Sequence, residues 1–346
     1  MKNPITFHLN TDDFLPATPE EKQSLVVMRK GISFWKDGFH RLLRNKIAMI
    51  SGAVLLLIMI FAFVVPSFYP YSYEQQQKGA EYLPPMQFSQ QEQARIAAGE
   101  KVFPHILGTD ANGRDYAVRV MMGGRISLIV GIIAAAIIFF IGSLYGAISA
   151  FFGGMTDNIM MRVVDIVYTI PDILIIILIA FALNAPLEAL AGKPGFEWVR
   201  ILGPKMIAIF IVFALIYWTD MARIVRSQVL SLKESDYVMA AKGLGARNAR
   251  LIRKHLLTNC IGTLIVSTTL QIPRAIFVES FLSFLGLGVA APMPSLGSLA
   301  SAALKGVNSH FYMLLFPAIF IALIILSFNL FGDGLRDAFD PKLKQG

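Results

Sequence analysis

IAMISGAVLLLIMIFAFVV, from Ile47 to Val65, is an uninterrupted apolar run without a charged residue. A helix needs roughly 17–25 apolar residues to cross the hydrocarbon core of a bilayer, and this run has that length. The run is continuous, whereas a lipid-facing barrel strand would alternate polar and apolar residues over about ten positions. It therefore predicts a transmembrane helix and an all-α integral membrane protein.

Five further apolar runs follow along the chain. Two of them, Ser127 to Phe152 and Met313 to Phe331, also contain no charged residue. The other three contain acids, an arginine or prolines, and they extend over Val163 to Leu183, Met206 to Ala222 and Cys260 to Leu285. We predict six transmembrane helices in one membrane domain, without a separate soluble domain.

The composition narrows the class of protein further. Hydrophobic residues make up 55% of the 346 positions and charged residues only 16%, which a soluble domain could not hide from water. A single cysteine, Cys260, excludes an intrachain disulfide and a cysteine-based metal cluster. The histidines are dispersed without metal-ligand spacing, and there is no G-x-x-x-x-G-K-S/T phosphate loop. The sequence therefore predicts no metal, cofactor or catalytic site on this chain.

The basic residues indicate the orientation in the membrane. The first 46 residues carry eight Lys or Arg, and another eight lie between Arg223 and Thr258. Short segments with such an excess face the cytoplasm. With six crossings, the C-terminus joins the N-terminus on that side. The net charge of +8 is then largely explained by the basic segments that set the orientation in the membrane. Nucleic-acid binding is not predicted.

The apolar runs divide the chain into a membrane core and flanking segments. A basic, amphipathic stretch from Phe34 to Lys46 predicts an interfacial helix before the first run. The segment after that run is rich in Gln and Pro and is too long for a simple connection. The predicted divisions are a cytoplasmic tail and interfacial helix at 1–46, the first transmembrane helix at 47–65, an external segment at 66–125, the core at 126–331 with a cytoplasmic segment at 223–258, and a cytoplasmic tail at 332–346.

Between the fourth and fifth runs lies DYVMAAKGLGARNARLIRKHLLTN, from Asp236 to Asn259. We predict two short helices separated by Gly245, since glycine can take the left-handed conformation that closes a helix. The small residues Ala240, Ala241 and Gly243 would let another protein's backbone approach closely. The predicted apolar side of the two helices consists of Val238, Leu244, Leu251, Ile252 and Leu256. The pattern leaves two interpretations open, a docking site or a basic loop that only obeys the charge rule.

Charged residues within the apolar runs are a second group of candidates, because a charge in the bilayer is costly and often marks a transport pathway. Arg162 and Asp165 are three positions apart and are predicted to neutralise each other near the cytoplasmic surface. Asp172 lies two turns further along nearly the same predicted helix face as Asp165. A structural or gating role is favoured for these acids over a proton relay.

The fifth run contains Arg274 and Glu279. They are five positions apart, which makes them poor partners on one straight helix. Two interpretations of Arg274 stay open. It either faces the pathway and meets a peptide carboxylate, or it lies beyond a helix that Pro273 ends.

The segment from Asp236 to Asn259 resembles the cytoplasmic signature of permeases in binding-protein-dependent ABC importers. That signature runs Glu-Ala-Ala, three residues, Gly, nine residues, then a hydrophobic residue, any residue, Leu and Pro. The residues that match at the right spacing are Ala240, Ala241, Gly245 and Leu257. Three residues depart from it. Met239 replaces the acid, His255 occupies the hydrophobic position, and Thr258 stands in place of the proline.

Three other segments resemble the second permease of the oligopeptide, dipeptide and nickel group of these importers. They are LGTDANGRDYAVRVMMGGRISL from Leu107 to Leu128, ESFLSFLGLGVAAPMPSLGSL from Glu279 to Leu299, and GDGLRDAFDP from Gly332 to Pro341. All four segments occur in the right order, which is far more specific than any one of them alone.

The resemblance implies a type I importer permease fold and half of a channel in the cytoplasmic membrane of a bacterium or archaeon. The partners it implies are a homologous permease that completes a heterodimer, two ATPase subunits that hold ATP and Mg, and an extracytoplasmic substrate-binding protein. In the family, the cytoplasmic helix transmits nucleotide-driven closure to the membrane helices. The expected coupling residues are Tyr237, Ala240, Ala241, Lys242, Gly245 and His255, and the candidates for the pathway or its gate are Asp165, Asp172, Arg274 and Glu279.

Short peptides are the expected substrate on resemblance alone, and the choice among dipeptides, oligopeptides and nickel chelates stays open. A second hypothesis is a proton- or ion-coupled secondary transporter that works through the acids without partner chains. A third is a membrane scaffold that transports nothing. Accumulation of substrate by the purified chain without ATP would favour the second hypothesis, and unchanged nutrient uptake after loss of the chain would favour the third.

Overall fold

The computed structural model describes residues 33–289 and 292–339. Within this part the chain is helical and contains no strand, apart from isolated bridges that join Gln87 to His105 and Thr109 to Asp115. Most of the predicted N-terminal tail and the end of the predicted C-terminal tail lie outside the described residues, as do the last two residues of the GDGLRDAFDP segment.

The helices of the described part are named here in chain order. They are α1 (Phe34–Arg44), α2 (Lys46–Phe63), α3 (Gln90–Ala97), α4 (Tyr116–Phe152), α5 (Gly154–Thr169), α6 (Asp172–Ala191), α7 (Glu197–Leu202), α8 (Pro204–Leu232), α9 (Asp236–Gly243), α10 (Ile261–Phe284), α11 (Leu296–Ala303) and α12 (Phe311–Phe339). A π-helical stretch at Phe213–Tyr217 interrupts α8, and a helical turn at Asn248–Arg250 continues as a π helix at Leu251–Leu256.

Six helices of the described part are long and apolar enough to cross a membrane: α2, α4, α6, α8, α10 and α12. The prediction of an all-α fold with six transmembrane helices is confirmed. The helices range from 18 residues in α2 to 37 residues in α4, and about 20 residues are needed to span the hydrocarbon core. The longer ones therefore extend beyond the bilayer.

The helix α4 begins at Tyr116, well before the predicted run at Ser127. Asp115 caps its first turn, because the Asp115 side chain accepts a hydrogen bond from the Val118 N–H at 3.0 Å. The added turns contain the charged residue Arg119, so a prediction based on hydropathy does not include them in the apolar run. The predicted external segment at 66–125 therefore includes the first turns of this helix.

The third predicted run, Val163 to Leu183, is divided between two helices. α5 ends before Ile170, which is extended (φ −81°, ψ 132°), and α6 begins directly after Pro171. A proline disfavours the helical conformation in the residue before it, which explains the break. α6 is the spanning helix, and α5 is a separate helix that follows the end of α4.

Small residues let α4 and α8 pack at close range. A Cβ at Gly142 would lie 2.6 Å from the Met221 Cβ, and a Cβ at Gly146 would lie 2.3 Å from the Ala222 carbonyl oxygen. Only glycine allows this approach, and small residues commonly serve this purpose between membrane helices. The largest apolar core of the described residues lies around this contact.

The two ends of the bundle carry different structures. At one, which we call the hairpin end, α4 and α8 both finish, and the Lys233 Nζ donates a hydrogen bond to the Ala150 carbonyl at 3.1 Å. The segment that joins α8 to α10 lies there. At the other, which we call the cap end, residues 64–115 form a folded segment that we call the cap. The described residues between α10 and α12, which include α11, lie beside it.

A buried ion cluster holds the cap together. His105 is 0% exposed, with its Nδ1 2.7 Å from an Asp115 oxygen and its Nε2 3.1 Å from a Glu92 oxygen. Tyr71 stacks on the imidazole at 4.5 Å. Burial lowers the pKa of His105, but the hydrogen bond and charge of Asp115, with the charge of Glu92, outweigh it and raise the pKa above its usual value. His105 is thus favoured as the cation that donates from both ring nitrogens.

Candidate functional site

The segment at the hairpin end folds into two short arms, and we call residues 236–259 the connecting hairpin. α9 forms the first arm, and the helical stretch at 248–256 forms the second. Gly245 follows α9 in the left-handed conformation, with φ +82°. The Ala246 N–H donates to the Ala241 carbonyl at 3.1 Å and the Gly245 N–H to the Lys242 carbonyl at 3.0 Å, the Schellman pattern of a helix end. The predicted pair of helices around Gly245 is confirmed.

One side of the connecting hairpin is fixed to the membrane core. Its buried side chains are Val238, Leu251, Ile252 and Leu256. Three of them belong to the same apolar core as α4 and α8. Burial of an aliphatic side chain of this size contributes about 1.5–3 kcal/mol, so the attachment is strong. Because packed cores are stiff, a displacement of the hairpin is passed on to both membrane helices.

The opposite side of the connecting hairpin carries an exposed apolar residue, Leu244, which is 90% exposed. The prediction that Leu244 shares one apolar side with Val238 is wrong, since Val238 is buried in the core. Leu244 follows the last residue of α9, where the chain turns through Gly245 and leaves the packed side. Met239 is exposed as well. A short helix with small residues and exposed apolar side chains has the form that fits a groove on another protein.

Four of the predicted coupling residues lie on or beside this exposed side. Ala240, Lys242 and Gly245 are exposed, and Ala241 is half-buried. A Cβ at Gly245 would meet no atom of the chain within 4 Å, so the space beside the turn is open. The described part of the chain therefore leaves room there for the backbone of another protein.

Tyr237 and His255, the other two predicted coupling residues, are joined through Asn259. The Asn259 Nδ2 donates to the Tyr237 hydroxyl at 3.2 Å and to the His255 backbone carbonyl at 2.6 Å. Both residues thus lie at the open end of the hairpin, away from the Gly245 turn, with Tyr237 exposed and His255 half-buried. These bonds tie the start of the first arm to the end of the second.

A basic hollow of about 830 Å³ lies next to the Gly245 turn. Four basic side chains line it, and they are Arg247, Arg250, Arg253 and Lys254. Among the described residues, no acid lines this hollow. All four are exposed. A concave surface of one charge sign attracts an oppositely charged protein surface or anionic headgroups.

A second group of charges lies between the membrane helices, and we call Asp172, Asp220 and Arg274 the ion triad. The Arg274 Nη1 lies 2.5 Å from an Asp220 oxygen on α8, and its Nη2 lies 3.8 Å from an Asp172 oxygen at the start of α6. The guanidinium also lies over the Tyr217 ring, 4.7 Å from the centroid. These residues line a cavity of about 320 Å³.

The ion triad is exposed on the isolated chain although it lies within membrane-crossing helices. The side chains of Arg274, Asp172 and Asp220 are 42%, 48% and 29% exposed. A charged side chain in contact with hydrocarbon is costly, so such groups face water or another protein. The exposed charges of the ion triad are therefore not expected to face the hydrocarbon of the bilayer.

Glu279 lies further along α10, and the structure does not bring it to the ion triad. The helix continues through Pro273 to Phe284, so the alternative in which Pro273 ends it is wrong. Glu279 is fully buried and accepts hydrogen bonds from the Ser283 and Ser127 hydroxyls, both at 2.7 Å. It joins α10 to α4 inside the protein.

Asp165 pairs with Arg223 rather than with Arg162. Its Oδ1 lies 2.9 Å from the Arg223 Nη2, and the same guanidinium lies 4.3 Å from the Tyr168 ring centroid. The predicted pair of Arg162 and Asp165 is wrong, because α8 packs beside α5 and supplies a base from another helix. Asp172 does not share a face with Asp165 either, since α5 and α6 are separate helices.

Two features of this region were not predicted. Asp157 on α5 makes two bonds to Arg226 on α8, both at 2.6 Å, and accepts the Ser149 hydroxyl at 2.5 Å. This pair fixes the part of α8 that leads into the connecting hairpin. The two residues are 69 positions apart, so no local pattern joins them. Asp220 was also missed as a site residue, although it is a lone acid in the fourth apolar run.

Two family profiles match the chain. The profile described as binding-protein-dependent transport system inner membrane component matches residues 141–345. The profile described as the N-terminal TM domain of oligopeptide transport permease C matches residues 33–85. The first match contains both the connecting hairpin and the ion triad, and the second contains α1 and α2.

Three curated relatives are similar along nearly the whole chain. The oligopeptide transport system permease protein OppC of Bacillus subtilis (strain 168) is 39% identical over 332 residues, which cover 96% of this chain and 97% of the relative. The dipeptide transport system permease protein DppC of the same organism is 40% identical over 333 residues, which cover 96% and 93%. The OppC protein of Haemophilus influenzae is 40% identical over 330 residues, which cover 95% of each chain.

Proposed function

The chain belongs to the family of binding-protein-dependent transport system inner membrane components, and from this premise we propose that it forms half of the channel of an importer for short peptides. Members of the family are membrane subunits of ABC importers and are not themselves catalytic. The chain is accordingly a permease that crosses the inner membrane several times.

The family implies ATPase and substrate-binding partners, and we propose the following assembly. Both termini and the connecting hairpin face the cytoplasm, because their basic residues follow the positive-inside rule. A homologous permease completes the channel as a heterodimer. Two ATPase subunits, which hold ATP and Mg, dock at the hairpin end, and an extracytoplasmic binding protein delivers substrate to the cap end.

Short peptides are the proposed substrate because the relatives that match nearly the whole chain are named for oligopeptide or dipeptide transport. The ion triad supports this choice. A peptide carries an ammonium group at one end and a carboxylate at the other, and a path that presents both acids and a guanidinium meets both charges. We propose that Asp165, Asp172 and Arg274 line or gate this path, and that Glu279 acts indirectly by holding α10 against α4.

The docking proposal rests on the division of the connecting hairpin into two sides. The buried side belongs to the core of α4 and α8, while the exposed side presents small residues, Leu244 and the open position at Gly245. A short helix of this kind fits a groove on a soluble partner. When two ATPase subunits close, they pull the hairpins with them, and the membrane helices follow as rigid bodies.

Substitutions at Gly245 test the proposal. Asn and Asp tolerate the left-handed conformation, and a side chain at 245 meets no atom of the chain within 4 Å, so both variants should fold and insert normally. We expect Gly245→Asp and Gly245→Asn to abolish ATP-dependent peptide uptake and to weaken co-purification of the ATPase subunits. Gly99→Asn is the matched control, since Gly99 in the cap has φ +91° and an equally open Cβ position.

Normal peptide uptake in both Gly245 variants would show that nothing docks at the turn. Loss of uptake in the Gly99 control to the same extent would show that the effect is not specific to the hairpin. Uptake that persists in the complete absence of ATP would instead favour the ion-coupled transporter.

A further inference from the structure

We propose that the protein binds a small anion of the phosphate class at the cap end, in a cavity between the cap, α4, α11 and the start of α12. The cavity has a volume of about 190 Å³. The lining residues that matter are Asp110, Arg114, Tyr116, Arg119, Lys305 and Met313. The site does not depend on the transport proposal, and the ion triad lies elsewhere in the bundle.

Arg119 is the residue that points to a ligand. Its side chain is only 9% exposed, and its Nε and Nη1 have no hydrogen-bond partner among the described residues. Buried polar groups nearly always have such a partner, and an unpaired group on a buried cation is especially costly. An oxyanion in the cavity offers several acceptor oxygens for these N–H groups.

Asp110 forms only a long ion pair with Arg119, and its two oxygens already accept three other hydrogen bonds. Its Oδ1 accepts the Asn112 and Arg114 backbone N–H groups at 2.8 and 3.0 Å. Its Oδ2 accepts the Arg114 Nε at 2.7 Å, and the Arg119 Nε lies 3.4 Å from the same oxygen without a hydrogen bond. With Lys305, three cations line the cavity against one carboxylate, which leaves it a net charge of +2.

The depth of the cavity fits an anion from water or from the headgroup layer. Further along α4, Arg125 donates to the Ala62 and Phe63 carbonyls at the end of α2, at 3.0 and 3.1 Å, which marks the edge of the apolar layer. At 1.5 Å per residue, Arg119 lies about 9 Å beyond that level. Free phosphate and the phosphate of a lipid headgroup share the required chemistry and both reach this depth.

A binding experiment on the full-length chain tests the proposal. The chain is purified in a maltoside detergent, which contains no phosphate, and titrated with inorganic phosphate at constant ionic strength, with the midpoint of thermal unfolding as the readout. We expect a saturable rise in the midpoint. Lys305 is exposed, so Lys305→Gln should leave the fold intact and raise the apparent Kd for phosphate about tenfold. Arg119→Met should abolish saturable binding. Lys101→Gln is the control, because Lys101 is an exposed lysine of the cap that does not line the cavity.

The second arm of the experiment identifies the source of the phosphate. If free phosphate has no effect, phosphatidylglycerol is added to the detergent micelles. Stabilisation that Lys305→Gln removes and Lys101→Gln retains then assigns the headgroup as the ligand. No saturable effect of either source, or an equal effect in wild type and Lys305→Gln, would overturn the proposal and leave the cavity as a solvent-filled space.

Discussion

Arg274 links three membrane helices through charge, since this residue of α10 pairs with Asp220 on α8 and with Asp172 at the start of α6. Its distance from Asp220 is 2.5 Å and from Asp172 is 3.8 Å. Loss of the guanidinium would leave two carboxylates near each other without a base. The two acids would then repel each other between α6 and α8.

We expect Arg274→Gln to lower peptide uptake by roughly tenfold or more while the chain still inserts, because breaking the ion triad costs at least about 1.4 kcal/mol in the transport cycle. Adding Asp220→Asn should restore part of the rate, since it removes one of the unpaired acids. The initial rate of uptake is measured for both single variants and for the double variant. The coupling energy between the two sites should fall within about 0.5–3 kcal/mol.

Arg200→Gln serves as the control for these variants, because Arg200 is an exposed residue of α7 outside the ion triad. Strictly additive effects of Arg274→Gln and Asp220→Asn on the uptake rate would contradict the role of the pair.

Residues whose role is local could be predicted from the sequence, and those with distant partners could not. Gly245 closes α9 within its own turn, so its left-handed conformation follows from the pattern around it. Arg274 and Asp220 are 54 positions apart, and their contact depends on how α8 and α10 pack. Leu244 was assigned to the wrong side because helical periodicity does not apply beyond the end of α9.

At the level of elements, hydropathy predicts how many helices cross the membrane but not where each begins. The charged first turns of α4 lie outside any apolar run, and Pro171 divides the third run into two helices. The cap could not be predicted in detail, since polar, nonrepetitive sequence forms it. Its order comes from a buried cluster of His105, Glu92 and Asp115, whose members are separated along the chain.

The cap should lose stability as the pH rises. The pKa of His105 is raised in the folded cap above its ordinary value of 6.5. Its contribution to stability is therefore fully present below about pH 6.5 and is lost as the pH rises through the raised pKa, when the ring loses a proton between the two carboxylates. Hydrogen-exchange protection of residues 66–115, corrected for the intrinsic pH dependence of exchange, measures this loss.

His105→Gln should remove this pH dependence and cost the cap about 3–5 kcal/mol of local stability, the range for breaking a buried pair. His310→Gln is the matched control, because His310 stacks on Tyr82 in the same region and makes no contact with either carboxylate of the cluster. Protection that stays constant with pH in the wild type, or the same pH dependence in His105→Gln, would refute the cluster's role.

At the scale of the whole molecule, the chain is a rigid bundle with two specialised ends. The connecting hairpin is packed into the core of α4 and α8, and the pair of Asp157 and Arg226 fixes α8 close to it. The bundle exposes charges on one side within the membrane and a small, open helix end at the hairpin. The family implies partner subunits, and we propose that they cover both surfaces.

The most direct test of this account is site-specific crosslinking of the connecting hairpin in the purified importer. The single native cysteine, Cys260, is buried at 2% exposure, so Leu244→Cys adds the reactive thiol. The account predicts that the thiol at 244 crosslinks to an ATPase subunit, while the thiol of Trp198→Cys, at an exposed position of α7, does not. Crosslinking of the ATPase subunit at 198 but not at 244, or at neither position in an importer that still takes up peptide, would contradict it.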